Sequence, residues 1–368
     1  MDQLQAGSSW PAVLTHLAAG SDLDTADAAW AMTSILTGEA TSAQIAAFVT
    51  ALRAKGETAG EVDALVSVML EHARLLDLGP DAPGVVLDVV GTGGDQSHSV
   101  NISTMTALVC AAAGVPVVKH GNRASSSSTG TADVLEELGV VIDLEPDDVA
   151  ARLRGAGIAF CFAPVHHPAM RFAGPTRKEL GVPTVFNILG PLTNPAGAGA
   201  ALIGAASVVL APVMADVLLR RGVRALVVRG EDGLDEISTS GATRVWDATG
   251  DVVVESLIDV ADLGVQYADA RLLRGGDREL NAALLRQALG TSASAADEVA
   301  RVAAIRDAVA VNAAAALAAY DAAVTGTADL PVLERIRGQL DRVRNVIDSG
   351  AALTTLERWI DVTARLRR

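Results

Sequence analysis

Four clusters in this chain have residue types and spacings that could do chemistry. In the first, Gly91, Thr92, Gly93, Gly94 and Asp95 follow an apolar run, and Asn101, Ile102, Ser103 and Thr104 open a helix shortly after. Glycines directly after a buried strand admit backbone conformations closed to other residues, so that amide N–H groups can converge on an anion. A helix start adds its positive end and hydroxyl donors. The segment therefore reads as a phosphate or pyrophosphate cradle. It is neither of the common nucleotide fingerprints, because a GxGxxG beginning at Gly91 would need glycine where Gln96 stands, and no GxxxxGK occurs. The plain alternative is a tight turn capped by Asp95.

The second cluster is Lys119, His120, Gly121, Asn122, Arg123 and Ala124, followed by the hydroxyl run Ser125, Ser126, Ser127, Ser128 and Thr129, then Thr131 at a helix start. Two cations beside so many donors make a second anion site; the alternatives are a solvated cation pair and a flexible serine linker. The third holds His166, His167 and Pro168, with Arg177 beyond. Adjacent histidines seldom aim at one ion, so the pair does not read as a metal centre. Arg177 offers a planar fork suited to a carboxylate, or a salt bridge to Glu179. The fourth is Glu231, Asp232, Asp235 and Glu236. Beside two anion cradles, these hard oxygen ligands suit magnesium bridging to phosphates; alone, they would suit a solvated loop.

These clusters need elements to position them. Residues 1–78 read as helical, with capping-box signals at Thr41 to Gln44 and Thr58 to Glu61, and with Val62, Leu65, Val66 and Met69 at helical spacing. After the break at Pro80 to Gly84, short β-branched runs alternate with helices. Strands are predicted at 85–90, 115–118, 140–144, 158–162, about 202–209 and 223–228, with a hairpin at 243–247 and 251–255. Helices are predicted at 103–113, 131–138, 146–154, 212–221 and through the tail from Ala282. That alternation predicts an α/β class with a mainly parallel sheet covered on both faces, plus a small helical lobe.

Composition narrows the function. Half of the 368 residues are apolar and 20% are charged, enough for a large core. Lysine and arginine total 29 against 44 acids, a net charge of −15, which opposes general nucleic-acid binding. No secretory signal is read at the start, and the long uncharged stretch before Asp216 is broken by Pro191, Pro195 and several glycines, which argues against a membrane span. Cys110 and Cys161 sit in apolar surroundings without metal-ligand spacing, as expected of buried thiols in a reducing cytoplasm.

Taken together, LTGEATSAQIAAFVTALRAKGET, DVVGTGGD with NIST, KHGNR with ADVLEELG, HHPAM, RKELGVPTVFNILGPLTNP and DGLDE resemble the anthranilate phosphoribosyltransferases. The resemblance runs over nearly the whole chain. It implies transfer of a phosphoribosyl group from phosphoribosyl pyrophosphate to the amine of anthranilate, in tryptophan biosynthesis. It places the phosphoribosyl pyrophosphate site on Gly91, Gly94, Asp95, Ser99, Asn101, Ile102, Ser103, Thr104, Lys119, His120, Gly121, Asn122, Arg123, Ala124, Ser125, Ser126, Ser127 and Thr131. Anthranilate contacts fall on Gly91, Asn122 and Arg177, with His120, His167 and Pro168 walling the channel. Magnesium, two ions per chain once substrate is bound, falls on Ser103, Asp235 and Glu236. The resemblance further implies a type II nucleoside phosphorylase-like fold, with a helical lobe over 1–78 and a return excursion near 168–190, against an α/β domain over 79–368. It also implies a cytoplasmic homodimer joined through the lobe. Two departures stand out: Thr131 where a smaller residue is common, and Pro183 in place of a frequent arginine. A pyrimidine nucleoside phosphorylase is the nearest rival, disfavoured by Asp235, Glu236 and KHGNR. A nucleic-acid-binding relative of the same fold is opposed by the net charge.

Overall fold

The structure, a computed structural model, describes residues 8–79, 84–124, 129–291, 298–326 and 328–366. Four helices come first: α1 (Trp10–Ala18), α2 (Thr25–Leu36), α3 (Ser42–Lys55) and α4 (Ala59–Glu71). Each begins where the side chain of Ser9, Asp24, Thr41 or Thr58 accepts a first-turn N–H, and the last two form the capping boxes that the sequence signals. Val62, Leu65, Val66 and Met69 line the buried face of α4.

The rest alternates strand and helix. In order come β1 (Leu87–Gly91), α5 (Ile102–Ala112), β2 (Val117–Gly121), α6 (Thr131–Leu138), α7 (Pro146–Ala156), β3 (Ile158–Phe162), α8 (Ala163–His166), α9 (Gly174–Leu180) and α10 (Phe186–Leu192). There follow β4 (Ala200–Gly204), α11 (Leu210–Arg220), β5 (Arg224–Gly230), the hairpin β6 (Thr243–Asp247) and β7 (Val254–Ile258), then α12 (Arg278–Leu289), α13 (Val299–Thr325), α14 (Val332–Asp348) and α15 (Ala351–Leu366). One seven-stranded sheet runs β3-β2-β1-β4-β5-β6-β7, parallel from β3 to β5 and antiparallel at the hairpin. The chain winds outward from β1 to β3 and then returns to the opposite side of β1, so the strand order reverses between β1 and β4. Such a reversal parts the loops at the carboxyl ends and leaves a crevice there. Gly91 and Gly204 face each other across it.

Side chains alternate across the sheet. Leu87 and Val89 enter a core shared with α5, α6 and α12 to α15. Val90, Ile203, Val227 and Trp246 enter another, shared with α1 to α4, α10 and α11. The N-terminal helices therefore continue into the layer that covers one sheet face.

Residues 140–144 depart from expectation. Val140, Ile142 and Leu144 are buried in alternation, as in a strand, yet the segment joins no ladder. Thr363 Oγ1 takes the N–H of Val141, and the Arg152 guanidinium donates to its carbonyl, so both backbone groups of Val141 are satisfied by side chains instead. A second point concerns α13, whose 27 residues are long and apolar enough to cross a membrane by length and composition. Its most apolar window is 83% buried inside the protein, which makes it a core helix.

Candidate functional site

At the crevice, β1 gives way to a turn through Gly93 (φ 65°) and Gly94 (φ 83°), left-handed backbone that glycine adopts without strain. Asp235 lies over this turn. Its Oδ2 accepts the Gly93 N–H at 2.7 Å, and its own N–H points to Asp95 Oδ2 at 3.4 Å. The fit requires bare strand ends: a Cβ on Gly204 would stand 1.5 Å from the Asp235 carbonyl oxygen, and one on Gly91 would stand 2.5 Å from Oδ2. Glu236 accepts from the backbone of Ser103 at the head of α5. The Ser103 hydroxyl in turn accepts from Lys119 Nζ at 3.1 Å, and Lys119 also donates to the Val89 carbonyl.

All three charged side chains are buried. Burial raises the Asp235 carboxyl well above its usual range, and the nearby Asp95 and Glu236 charges add to this. Burial likewise pushes Glu236 up to about 8 against the attraction of Lys119, and pulls Lys119 down to about 8 against Asp88, Glu236 and Asp235. Among the described residues no three His, Cys, Asp or Glu side chains converge as a closed metal cage. Two buried, electrically uncomfortable carboxylates and a hydroxyl nevertheless fit magnesium, which binds through one or two carboxylates and leaves its other positions to water and phosphate oxygens.

The strand β2 delivers the second cluster beside the first. Asp133, at the start of α6, accepts from the backbone N–H groups of Ala124 (3.0 Å) and Gly130 (2.9 Å) and so ties these two backbone positions together. The Asn122 carbonyl accepts from Ala132 N, while its side-chain oxygen accepts from Arg123 N. Arg123 is engaged by Glu136 and Asp133 and sits 5.5 Å over the Phe162 ring. Thr104 Oγ1 reaches Thr131 Oγ1 at 3.5 Å, and Asn101 donates to the Thr129 carbonyl at 3.3 Å. Ile102 is buried at the start of α5, and Ser99 bridges to Arg274. Ser125, Ser126 and Ser127 lie outside the described residues.

His120, the neighbour of Lys119, emerges on the opposite sheet face. Its Nδ1–H donates to the Gly190 carbonyl at 3.0 Å, and His167 Nε2–H donates to the Thr193 carbonyl at 3.0 Å. The two rings lie 5.1 Å apart. Burial lowers His120 to about 3 and His167 to about 4, so both are neutral near pH 7. With one nitrogen of each ring donating, His120 Nε2 and His167 Nδ1 are left as buried acceptors without protein partners among the described residues. His166 turns away to the Arg74 carbonyl. Pro168 starts a short 3-10 turn, Pro168–Phe172. Arg177, on α9, has its guanidinium 5.4 Å from the centre of the Phe186 ring; its basicity is lowered by burial, and it has no acidic partner among the described residues. Glu179 does not pair with it.

The chain matches the glycosyl transferase family helical bundle domain over residues 11–73 and the glycosyl transferase family a/b domain over 83–353. It is 54% identical to the anthranilate phosphoribosyltransferase of Salinispora arenicola, over 98% of both chains, and 51% identical to that of Saccharopolyspora erythraea, over 98% of this chain and 97% of the relative. The chain belongs to the anthranilate phosphoribosyltransferase family. The crystal structure of the Thermus thermophilus anthranilate phosphoribosyltransferase superposes with a TM-score of 0.84 at 39% identity, covering 96% of this chain and 99% of that one. The Saccharomyces cerevisiae anthranilate phosphoribosyltransferase, in complex with PRPP and Mg, gives 0.83 at 27% identity over 97% and 98%.

Two residues at this site escape the sequence reading of an anthranilate phosphoribosyltransferase. Asp88, inside β1, accepts the His120 N–H at 3.0 Å; burial lifts it to about 6 although Lys119 is close. A lone charge in an apolar strand was a readable signal. Asn281 on α12, buried against Asn101, carries no local signal at all.

Proposed function

We infer that the protein transfers the phosphoribosyl group of 5-phosphoribosyl 1-pyrophosphate to the amine of anthranilate, giving N-(5-phosphoribosyl)anthranilate and pyrophosphate for tryptophan biosynthesis. The observation that carries this reading is the seating of Asp235 and Glu236 between the Gly91 to Gly94 turn, Ser103 and Lys119. In this proposal the turn amides and the α5 head receive the pyrophosphate. Lys119, Asn101, Thr104 and the Asn122 to Thr131 segment hold the phosphorylated sugar. Ser103, Asp235 and Glu236 hold magnesium, with two ions present once substrate is bound. Charge growing on the departing pyrophosphate oxygens is what bound magnesium neutralises.

The acceptor needs less help. An aromatic amine is neutral at pH 7 with its lone pair available, so the reaction needs no side-chain nucleophile. Arg177 receives the anthranilate carboxylate, and the neutral His120 and His167 rings with Pro168 flank the aromatic ring. As the bond to pyrophosphate breaks, the ribose becomes oxocarbenium-like. Holding both substrates in line is worth up to roughly 7 to 11 kcal/mol of barrier.

The helical lobe comprises residues 1–78 with the return excursion near 168–190, against the α/β domain over 79–368. We place the enzyme in the cytoplasm, as a homodimer joined through the lobe; its two free cysteines are both buried, as suits a reducing compartment. The test is anthranilate fluorescence during incubation with phosphoribosyl pyrophosphate. Magnesium-dependent loss of the signal is expected, and a signal unchanged with magnesium present rejects the reading.

A further inference from the structure

Residues 273–276, between β7 and α12, run alongside the segment that enters α5. Val100 N donates to the Leu273 carbonyl at 2.8 Å, Gly275 N donates to the His98 carbonyl at 2.7 Å, and Ser99 bridges to Arg274. The same stretch reaches the second loop, where Thr129 Oγ1 donates to the Gly276 carbonyl at 2.8 Å. At the centre is Asn281, which is 3% exposed. Its Oδ1 accepts from Gly276 N at 2.9 Å, its Nδ2 donates to Asn101 Oδ1 at 3.0 Å, and Asn101 Nδ2 donates onward to the Thr129 carbonyl at 3.3 Å.

The direction of this relay is unambiguous. A backbone N–H stands at one end and a backbone carbonyl at the other, so each amide has one orientation that satisfies both neighbours. The space is equally exclusive, since a Cβ on Gly275 would lie 2.6 Å from Asn281 Oδ1. An amide side chain serves here because it both donates and accepts; leucine would fill the volume and satisfy neither partner.

We propose that Asn281 is a positioning residue for the phosphoribosyl donor: through Asn101 it fixes the glycine-turn exit and the Thr129 end of the second loop in one register, so that two anion cradles distant in sequence act as a single site. Asn281 does not touch the reacting atoms; it acts through Asn101. The inference rests on the donor site proposed above, and it separates that site from the acceptor side, which the relay does not touch.

The experiment uses the full chain with Asn281→Ala and, because that variant could fold poorly, the shape-preserving Thr129→Val, which removes the parallel link to Gly276. Hydrogen exchange is followed over residues 97–101 and 129–132 without substrate, then initial rates against each substrate. Faster exchange in both segments, a KM for phosphoribosyl pyrophosphate raised about tenfold, an anthranilate KM within about twofold of wild type, and a double variant short of the product of the singles are expected. Unchanged exchange with unchanged KM values in folded variants, or an equal rise in both KM values, overturns the proposal. If instead exchange quickens as expected but wild type itself turns over no anthranilate, the reading of the reaction fails while the relay stands.

Discussion

Lys119 and His120 are consecutive in β2, yet they open onto different kinds of environment. Lys119 joins Asp235, Glu236 and Ser103, a site crowded with buried charge. His120 joins His167 and the carbonyls around α10, where both imidazoles are held neutral and Arg177 is the one cation assigned. The alternation of a strand thus sets a compartment crowded with buried carboxylates on one sheet face and one walled by neutral imidazoles on the other. That contrast matches the two partners proposed for the site. A polyanionic donor needs compensating charge, whereas a neutral amine needs a dry wall and one carboxylate anchor.

The contrast can be broken most severely on the charged side. Replacing both Asp235 and Glu236 by alanine should lower turnover on the order of a thousandfold and abolish its dependence on magnesium, as read from initial rates across a magnesium titration. Turnover that keeps its metal dependence would contradict the assignment. The next largest effect belongs to the other compartment. Arg177→Ala should raise the anthranilate KM by roughly 10- to 100-fold, the range for losing a hydrogen-bonded charge, with the donor KM within about twofold. The reverse ranking would move Arg177 to the donor side.

The smallest effect sharpens the comparison through pH. His120 and His167 have folded pKa values depressed from 6.5 to about 3 and about 4, so their contribution to stability is present above pH 6.5 and is lost as pH falls toward those values. Glu236, raised from 4.5 to about 8, works oppositely: its contribution is present below pH 4.5 and is lost as pH rises to about 8. Urea unfolding of the metal-free protein at pH 6.5 and 4.5 spans the histidine limb, on which Glu236 acts in the opposite sense, so the histidine part is read as the difference between wild type and variant. His120→Asn with His167→Gln keeps both N–H donors and removes the titration, so relative to wild type it should lose a slope of up to about 1.4 kcal/mol per pH unit for each ring. Parallel curves for wild type and variant would show that the rings do not carry that limb.

Much of the charged compartment was legible in sequence because its determinants are local. Glycines after a strand, hydroxyls at a helix start and acids after β5 each announce themselves within a few residues, and the sheet reversal brings them together. The neutral compartment was less so. His167 is fixed by a carbonyl on a separate excursion of the chain, and the absence of an acidic partner for Arg177 among the described residues is a fact of packing. Arg123, assigned to phosphate from its loop composition, also pairs with Glu136, one helical turn beyond Asp133, a contact the local sequence does not announce. Residues 140–144 show the limit of periodicity, since burial alternates there while side chains take the Val141 backbone groups that a ladder would otherwise use. Asn281 needed the whole fold, because its partner lies near the other end of the α/β region.

The alanine-rich α13 carries none of this chemistry, though it packs beneath the sheet face that bears the charged compartment, in the core of Leu87 and Val89, where Asn312 donates to the Ile237 carbonyl. Val332, Ile336, Leu340, Val343 and Ile347 of α14, with Leu356 and Trp359 of α15, belong to the same core and are later in the chain. On the ribosome this greasy rod therefore emerges before its cover does. For that interval it presents what a chaperone or a lipid bilayer would recognise, and an early stop codon within α14 would make the interval permanent. Integrity of the distal helices is thus a condition for solubility long before it becomes one for catalysis.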